Sequence, residues 1–168
     1  MSGSNLRSIG CLVMAAGNAS RFGANKLEAS FAGKSLFSLA LAAIPAGVFS
    51  RVTVVSQYPE LLLQAREAGF AAILNDRPED GISRTIRLGT EAMKDCSAIL
   101  YMVSDQPLLR ADTVQRLADC WFQNPDCIIS AAHNGHRGNP CLFPARFFPE
   151  LCALDGDRGG SSVIRRHE

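Results

Sequence analysis

The sequence predicts an α/β protein with a three-layer αβα, Rossmann-like architecture and a mainly parallel sheet. Two observations lead to this fold class. Apolar segments of strand length alternate with segments of helical periodicity along the whole chain. Polar, glycine-containing segments follow several of these apolar runs directly, as at the carboxyl edge of a parallel sheet. The 168 residues suit one core, so residues 1–168 are predicted to form a single domain.

The first half of the chain is predicted to contain three strands and two helices. The strands are short apolar runs, the first followed by Gly17 and the second rich in Val and Thr. Pro59 suits a first helical turn, and Gly69 suits the position after a helix. In chain order we expect the strand Ile9–Met14, the helix Leu36–Ile44, the strand Arg51–Ser56, a helix from Pro59 and the strand Ala71–Leu74.

The second half is predicted to contain three strands and at least three helices. One helix has a core-facing stripe at the spacing i, i+3, i+4, i+7, formed by Val114, Leu117, Ala118 and Trp121. The other elements are expected to be a helix over Ile82–Met93, the strand Ala98–Val103, the strands Ile128–Ala132 and Pro140–Phe143, and a helix near Ala145–Ala153.

Charge and composition exclude several classes of function. The formal net charge is only +1, so no global field attracts nucleic acid or a membrane surface, and an anionic ligand needs a local site. The N-terminal residues lack the apolar stretch of a secretory signal, and the segment Leu36–Val48 is too short to span a bilayer. Six cysteines without a C-x-x-C pair predict reduced thiols. A cytoplasmic protein is therefore expected.

The segment between Met14 and Lys26 has the composition of a triphosphate-binding loop. Gly17 and Gly23 allow backbone N–H groups to approach an anion, while Arg21 and Lys26 supply positive charge. The segment matches neither the Walker loop nor the dinucleotide fingerprint. The alternative is a polar connection whose glycines serve only turn geometry.

Three further segments carry candidate site residues. Asp105 ends a buried strand and is a candidate Mg²⁺ ligand, or else an aspartate that opens the turn Asp-Gln-Pro. Ser83 follows Asn75–Gly81 and faces the same edge, or else only caps a helix. The segment Leu154–Ser162 is a second glycine-rich loop with an acid and a base before a short helix.

The segment His133–Pro140 is interpreted as a loop that contains two histidines beside polar turn formers. The pair His133 and His136 has metal-ligand character. A metal site is not predicted there, because no cysteine or carboxylate completes the ligand set at the required spacing.

Taken in order, these segments resemble the MobA-like nucleotidyltransferases, and most closely the molybdenum cofactor cytidylyltransferases. The resemblance covers about Ser8 to His167. It depends on five motifs, which are AAG-x₃-RFG-x₂-K, N-x₅-GIS-x₂-I-x₂-G, SDQPLL, RGNP-x-LF and GDRGG. It implies a fold of the nucleotide-diphospho-sugar transferase type, with CTP and Mg²⁺ as ligands.

The resemblance also implies roles for individual residues. Arg21, Lys26 and Asp105 would be catalytic, and Asp105 and Asp157 would bind the metal. The nucleotide would be bound by Ala15, Ala16, Gly17, Arg21, Gly23, Lys26, Asn75, Gly81 and Ser83. The implied reaction transfers CMP from CTP to the phosphate of a molybdopterin, with release of pyrophosphate. Ala16 stands where the guanylyltransferase branch has glycine, and its methyl group favours cytosine over guanine.

The chain departs from the family pattern at three places. Ala19 and Ser20 replace a Ser-Arg pair, so one phosphate contact is expected to be absent. Gly160 and Ser161 replace an Ala-Arg pair on the acceptor side. The chain is also expected to lack the family's C-terminal D-x-D-T-P-E-D segment, since it ends at Glu168.

Two other functions remain open at the level of sequence. One is nucleotidyl transfer to another phosphorylated acceptor, such as a sugar or alditol phosphate. The other is a non-catalytic protein that binds nucleotide or cofactor and delivers it to a molybdoenzyme.

Overall fold

The chain folds into a six-stranded sheet between two layers of helices. The computed structural model describes residues 6–17 and 30–168. In chain order the strands and α-helices are β1 Ile9–Ala15, β2 Ser30–Phe31, β3 Lys34–Ser35, α1 Leu36–Ala42, β4 Arg51–Ser56, α2 Pro59–Glu67, β5 Ala71–Leu74, α3 Ile82–Ala92, β6 Ala98–Val103, α4 Ala111–Gln123, β7 Ile129–His133, β8 His136–Pro144, α5 Phe148–Cys152 and α6 Gly160–Arg166. Short 3₁₀ turns cover Pro78–Asp80 and Ala145–Phe147.

The order of strands in the main sheet is β5-β4-β1-β6-β8-β7. The first four are parallel, because β1 pairs in parallel with both β4 and β6, and β4 pairs in parallel with β5. The last two strands are antiparallel to their neighbours. The carboxyl ends of β5, β4, β1 and β6 therefore lie along one edge of the sheet.

Alternate residues of the central strands face opposite helical layers. Cys11 and Val13 of β1 pack in a core with side chains of α1, α2 and α4. Leu12, between them, packs with side chains of α3, α5 and α6 in a second core. The predicted stripe on α4 is buried in full, which includes Trp121. This alternation confirms the predicted three-layer fold with helices on both faces.

The predicted bounds of the parallel strands are confirmed closely. The bounds Arg51–Ser56, Ala71–Leu74 and Ala98–Val103 agree with the structure at both ends. The region predicted as one helix near Ala145–Ala153 is instead a 3₁₀ turn followed by α5, because Pro149 lies in the first turn of that short helix. The small hairpin of β2 and β3 was not predicted, since strands of two residues have no detectable periodicity.

The interpretation of residues 133–140 as a loop is wrong. The structure has a β-hairpin here, in which β7 ends at His133 and β8 begins at His136. Asn134 and Gly135 form the two-residue turn with φ of 50° and 78°. Two positive φ angles suit the twist of a tight hairpin, and Asn-Gly is the pair that adopts them most readily.

The helices of the described residues, 6–17 and 30–168, are short or polar. None of them is both long and apolar enough to cross a bilayer.

Candidate nucleotide and acceptor site

The backbone at the end of β1 is held by hydroxyl and amide groups from the neighbouring strands. The Ser104 hydroxyl donates to the carbonyl of Met14 at 2.8 Å, and the Ser56 hydroxyl donates to the carbonyl of Ala15 at 2.8 Å. Both serines are buried. Because the two bonds come from opposite sides, they fix the direction in which the chain leaves the sheet.

Two more donors continue this pattern beyond the strand. The Gln57 side-chain amide donates to the carbonyl of Ala16 at 3.0 Å and to that of Gly17 at 3.4 Å. The Tyr58 hydroxyl also donates to Gly17, at 3.4 Å. Ala15 and Ala16 are buried, whereas Gly17 is exposed at the sheet edge. The predicted phosphate loop therefore starts from a fixed position. Arg21, Gly23 and Lys26 lie outside the described residues.

Asn75 organises the segment between β5 and α3. Its side chain is buried, and its Oδ1 accepts from the Arg77 backbone N–H at 3.1 Å and from Arg84 Nε at 3.2 Å. Its Nδ2 donates to the Thr85 hydroxyl at 3.2 Å. Arg84 also pairs with Asp76 at 2.6 Å, and this hydrogen bond is the main reason that the pKa of Asp76 is lowered. Asn75 thus binds protein groups on three sides.

The start of α3 lies directly against the second glycine-rich loop. The Ser83 backbone N–H donates to the carbonyl of Gly156 at 3.1 Å, and Ser83 is buried within the first turn of the helix. Gly81 has φ of 85°, and a Cβ there would lie 2.4 Å from Gly156 O and 2.7 Å from Asp157 Oδ1. Only glycine allows this approach.

Arg87 reinforces the same contact. Its guanidinium donates to the carbonyls of Cys152 and Leu154, at 3.1 and 3.2 Å. The predicted site residues Gly81, Ser83 and Asp157 therefore meet in space, although the sequence separates them widely.

A cavity of about 430 Å³ opens beside this contact, between α3, β6, β8 and α6. Its walls are largely apolar, and most of the polar side chains that line it come from the segments near 137–141 and 157–161. The described lining residues are Met14, Ile82, Ile86, Tyr101, Val103, Ser130, Arg137, Gly138, Asn139, Cys141, Phe143, Leu151, Asp157, Gly159, Gly160, Ser161 and Ile164. The volume suits a small organic ligand.

The polar wall of the cavity has an internal hydrogen-bond network. Cys141 Sγ lies 3.1 Å from the carbonyl of Gly138, to which it donates, and 3.4 Å from the Ser130 hydroxyl. Burial raises the pKa of the Cys141 thiol, so the group remains neutral. Tyr101, at the back of the cavity, shares a hydrogen bond of 2.7 Å with the Thr90 hydroxyl.

Gln106 connects the segment after β6 with this wall. Its side-chain amide donates to the carbonyl of Asn139 at 3.3 Å. Asp105, the residue before it, is exposed at the end of β6. Asp157 lines the cavity, and Asp105 is absent from its described lining. Within residues 6–17 and 30–168, no group of three or more His, Cys, Asp or Glu side chains converges as a metal site.

One of the departures from the family pattern, the pair Gly160 and Ser161, lines the cavity. A Cβ on Gly160 would lie 2.8 Å from Cζ of Phe143, so a larger residue would press on this ring. Ser161 is the second lining residue of the pair. Ala19 and Ser20 lie outside the described residues.

Several residues of the site were not predicted individually. Ser56, Gln57 and Tyr58 lack a motif of their own, and Ser104 belongs to the SDQPLL motif without an assigned role, but each stands within two residues of the end of a predicted parallel strand. Arg137 belongs to the RGNP motif, yet it was assigned no role. Position after a strand was the signal that could have identified the first four.

Together, the strand ends and the cavity define an α/β protein with a candidate ligand site at the carboxyl edge of its sheet. The chain belongs to the MobA-like NTP transferase domain family, whose match covers residues 11–168. The family resemblance of the sequence is therefore confirmed.

A curated relative agrees with this family. The chain is 33% identical over 135 residues to phosphoenolpyruvate guanylyltransferase of Roseiflexus castenholzii, and the match covers 75% of this chain. It spans only 61% of the length of that relative.

Similar solved structures share the fold at low sequence identity. The Rv0371c protein of Mycobacterium tuberculosis H37Rv is 20% identical, with a TM-score of 0.78 over 95% of this chain and 82% of that chain. Its structure in complex with manganese has 20% identity and a TM-score of 0.73, over 94% and 82% of the two chains. These likenesses confirm the predicted fold class.

Proposed function

We propose that this chain is a nucleotidyltransferase that passes a nucleotidyl group from a nucleoside triphosphate to a phosphorylated acceptor. The observation that carries the proposal is the placement of its motif segments. The segment after β1 begins at the sheet edge, and those near residues 81, 137 and 157 surround one cavity beside it. A transfer between two ligands needs two adjacent binding regions, and the closeness of these segments supports placing both at this edge.

The nucleotide is proposed to bind beyond β1. The carbonyls of Met14 to Gly17 accept hydrogen bonds from the protein, which fixes this backbone before any ligand arrives. Ala15, Ala16 and Gly17 would contact base and ribose, with Asn75, Gly81 and Ser83 behind them. Gly23, Arg21 and Lys26 would contact the triphosphate, since such charges stabilise phosphate oxygens.

The proposed reaction is an in-line substitution at phosphorus. An oxygen of the acceptor phosphate attacks the α-phosphorus of the nucleotide and forms a new P–O bond. The bond from the α-phosphorus to the bridging oxygen breaks, and pyrophosphate leaves with that electron pair. No nucleophilic side chain is required, because the rate enhancement comes from positioning the two reactants and neutralising the charge of the phosphates.

Asp105 and Asp157 are the proposed ligands of Mg²⁺. Both side chains are exposed carboxylates on loops around the site, and Asp157 Oδ1 lies over Gly81. Mg²⁺ prefers one or two carboxylates together with phosphate oxygens and water, so this donor set fits the ion. The ion would neutralise charge on the phosphates.

The proposed substrates in particular are CTP and a molybdopterin. The Ala16 methyl group supports cytosine, while the cavity gives an acceptor room. A second pair, GTP and phosphoenolpyruvate, is favoured by the relative that is 33% identical to this chain. The cavity volume is compatible with either acceptor.

An assay of pyrophosphate release separates these possibilities. CTP and GTP are each offered with molybdopterin, with phosphoenolpyruvate and with no acceptor, in the presence of Mg²⁺. Release that requires CTP and molybdopterin supports the proposed substrates, and release with GTP and phosphoenolpyruvate selects the second pair. Nucleotide binding without release in any combination would favour the delivery protein and refute the enzymatic proposal.

Asp105→Asn tests the metal role with the substrate pair that proves active. The amide keeps the shape of the side chain but loses its charge, so turnover should fall at least about 100-fold while the melting temperature stays unchanged. Asp157→Asn should reduce turnover less. Asp119→Asn, an exposed aspartate on α4, is the matched control. Full activity in Asp105→Asn would eliminate this residue as a metal ligand.

A further inference from the structure

We propose that Arg137 binds the anionic group of the acceptor and that Glu168 competes for the same guanidinium while the acceptor is absent. This inference rests on the proposed function, since it concerns the acceptor half of that site. It identifies a residue that determines acceptor specificity and a carboxylate that lowers acceptor affinity.

The charge of the cavity wall points to Arg137. Among the described residues that line the cavity, Arg137 is the only cation and Asp157 is the only carboxylate. Most of the remaining wall is apolar, with Ile86, Tyr101 and Phe143 among its members. An apolar wall does not orient a ligand strongly. The guanidinium, which can offer two parallel N–H donors to a carboxylate or phosphate, would therefore fix the orientation of an anion.

The position of Arg137 in the sheet brings it to the reacting edge. It lies near the start of β8, which is antiparallel to β6, so this end of β8 is near the carboxyl end of β6. Tyr101 of β6 is paired with Cys141, and Arg137 stands four residues before Cys141. The anion held by Arg137 would therefore be on the side of the sheet where Asp105 follows β6.

In this structure Arg137 already binds a carboxylate. Its Nη2 lies 2.6 Å from Oε1 of Glu168, a residue that follows α6 and is outside the cavity lining. The two side chains remain 45% and 55% exposed. An exposed ion pair of this kind contributes little stability and exchanges readily. A ligand carboxylate or phosphate that is also held by the cavity wall would displace Glu168.

This arrangement defines a class of acceptor. The acceptor carries at least one carboxylate or phosphate at the Arg137 end and a body that tolerates apolar and aromatic walls. Two compounds represent opposite ends of this class in size and in number of anionic groups. Phosphoenolpyruvate is small and has two anionic groups, whereas pterin-6-carboxylate has one carboxylate on a planar ring.

The test compares two variants of the full chain with two controls of equal charge change. Arg137→Gln removes the proposed anion ligand, and Glu168→Gln removes its competitor. The controls are Arg166→Gln and Glu150→Gln, which remove the partners of a second ion pair, 3.6 Å long, outside the cavity lining. Glu150 is half-buried and also contacts His167, so Arg166→Gln is the closer match. Calorimetry measures the affinity for each of the two compounds, and separately for CTP and GTP.

For the compound that binds, Arg137→Gln should lower the affinity at least about tenfold. Glu168→Gln should raise it about twofold to fivefold, the range expected for loss of an exposed ion pair. Both controls and all nucleotide affinities should be unchanged. If the unmodified protein bound neither CTP nor GTP, the proposed function would be contradicted. Failure of the proposed function is therefore distinguishable from failure of the inference about Arg137.

Three results would overturn the inference. These are equal affinity in Arg137→Gln and Arg166→Gln, no gain in Glu168→Gln, and no binding of either compound at millimolar concentration. Rescue by Arg137→Lys to less than the full affinity would support the bidentate contact, because lysine keeps the charge but loses the fork geometry.

Discussion

The two ends of the candidate site are built on different principles. At the proposed nucleotide end, the carbonyls of residues 14 to 17 are held by four side chains that end or follow neighbouring strands. At the proposed acceptor end, the cavity is surrounded by side chains, and its only cation among the described residues forms an exposed ion pair. A fixed backbone suits a ligand part that every nucleotide shares. Side chains that can change their partners suit the binding of acceptors, which differ from one another.

The sheet explains why both ends meet. Parallel strands direct all their carboxyl ends to one edge, so the segments after β1, β4, β5 and β6 are neighbours. An antiparallel strand presents its beginning at that edge instead. The start of β8 therefore reaches it, and Gln106 joins the two kinds of strand through the carbonyl of Asn139.

The largest effect is expected where the two ends touch, at Gly81. In Gly81→Ala the new Cβ would lie 2.4 Å from a backbone oxygen, and the residue would keep an unfavourable φ of 85°. We expect the free energy of unfolding to fall by about 3 kcal/mol, the sum of left-handed strain and overpacking. Chemical denaturation measures this loss.

Gly69→Ala is a matched control for this variant. Gly69 has almost the same φ, 86°, but a Cβ there would meet nothing within 4 Å. It should lose only about 1 kcal/mol. Equal losses in both variants would contradict the close approach between Gly81 and the 156–157 loop.

A smaller effect is expected for Asn75→Ala, on the nucleotide side of that contact. The change leaves Arg84 Nε, the Arg77 N–H and the Thr85 hydroxyl without their buried partner. The free energy of unfolding should fall by about 2 kcal/mol. Asn124→Ala, which removes an exposed bond to Cys120, is the control and should change stability by less than about 1 kcal/mol. A larger loss in the control would mean that burial is not the cause.

The parallel strands and the antiparallel strand β8 differ in how well the sequence predicts them. The parallel strands were predictable because burial on both faces produces short, continuous apolar runs, such as Ala98–Val103. β8 was predicted only from Pro140, because its first four residues are exposed and include Gly138. The Asn-Gly pair at 134–135 would have corrected this, since it is a strong hairpin signal.

The two parts of the site differ in the same way. The family motifs identified Gly81, Ser83 and Asp157, and the structure brings these three together. The cavity could not be predicted, because its lining extends from Met14 to Ile164 and depends on how α6 packs against β8. The role of Asn75 as an organiser of its own segment was also hidden, since a hydrogen-bond partner is a property of the folded chain.

The nucleotide end is expected to lose affinity without losing stability in Lys26→Ala. If Lys26 contacts the triphosphate, nucleotide affinity should fall at least about tenfold, which corresponds to about 1.4 kcal/mol. Stability should change by less than about 0.5 kcal/mol, because the sequence predicts a loop at Lys26 and loop substitutions usually have small effects. Calorimetry with CTP and GTP measures the affinity. Lys34→Ala is the control, and an unchanged affinity in Lys26→Ala would exclude the proposed contact.

The smallest effect gives the most direct comparison of the two ends, because one bond of the same chemistry and length exists at each. The Ser104 hydroxyl donates to the Met14 carbonyl at 2.8 Å, and the Ser162 hydroxyl donates to the Gly159 carbonyl at 2.8 Å. Ser104→Ala and Ser162→Ala should each lower the free energy of unfolding by about 1 kcal/mol, the ordinary value of one such bond.

The effects of these two variants on ligand affinity should differ. Ser104→Ala frees the backbone that leads to the nucleotide and should weaken nucleotide binding about threefold, with acceptor affinity unchanged. Ser162→Ala loosens the start of α6 beside the cavity and should affect only the acceptor. If both variants weakened the same ligand, the two ends would not be separate binding regions, and the assignment of nucleotide and acceptor to them would have to be abandoned.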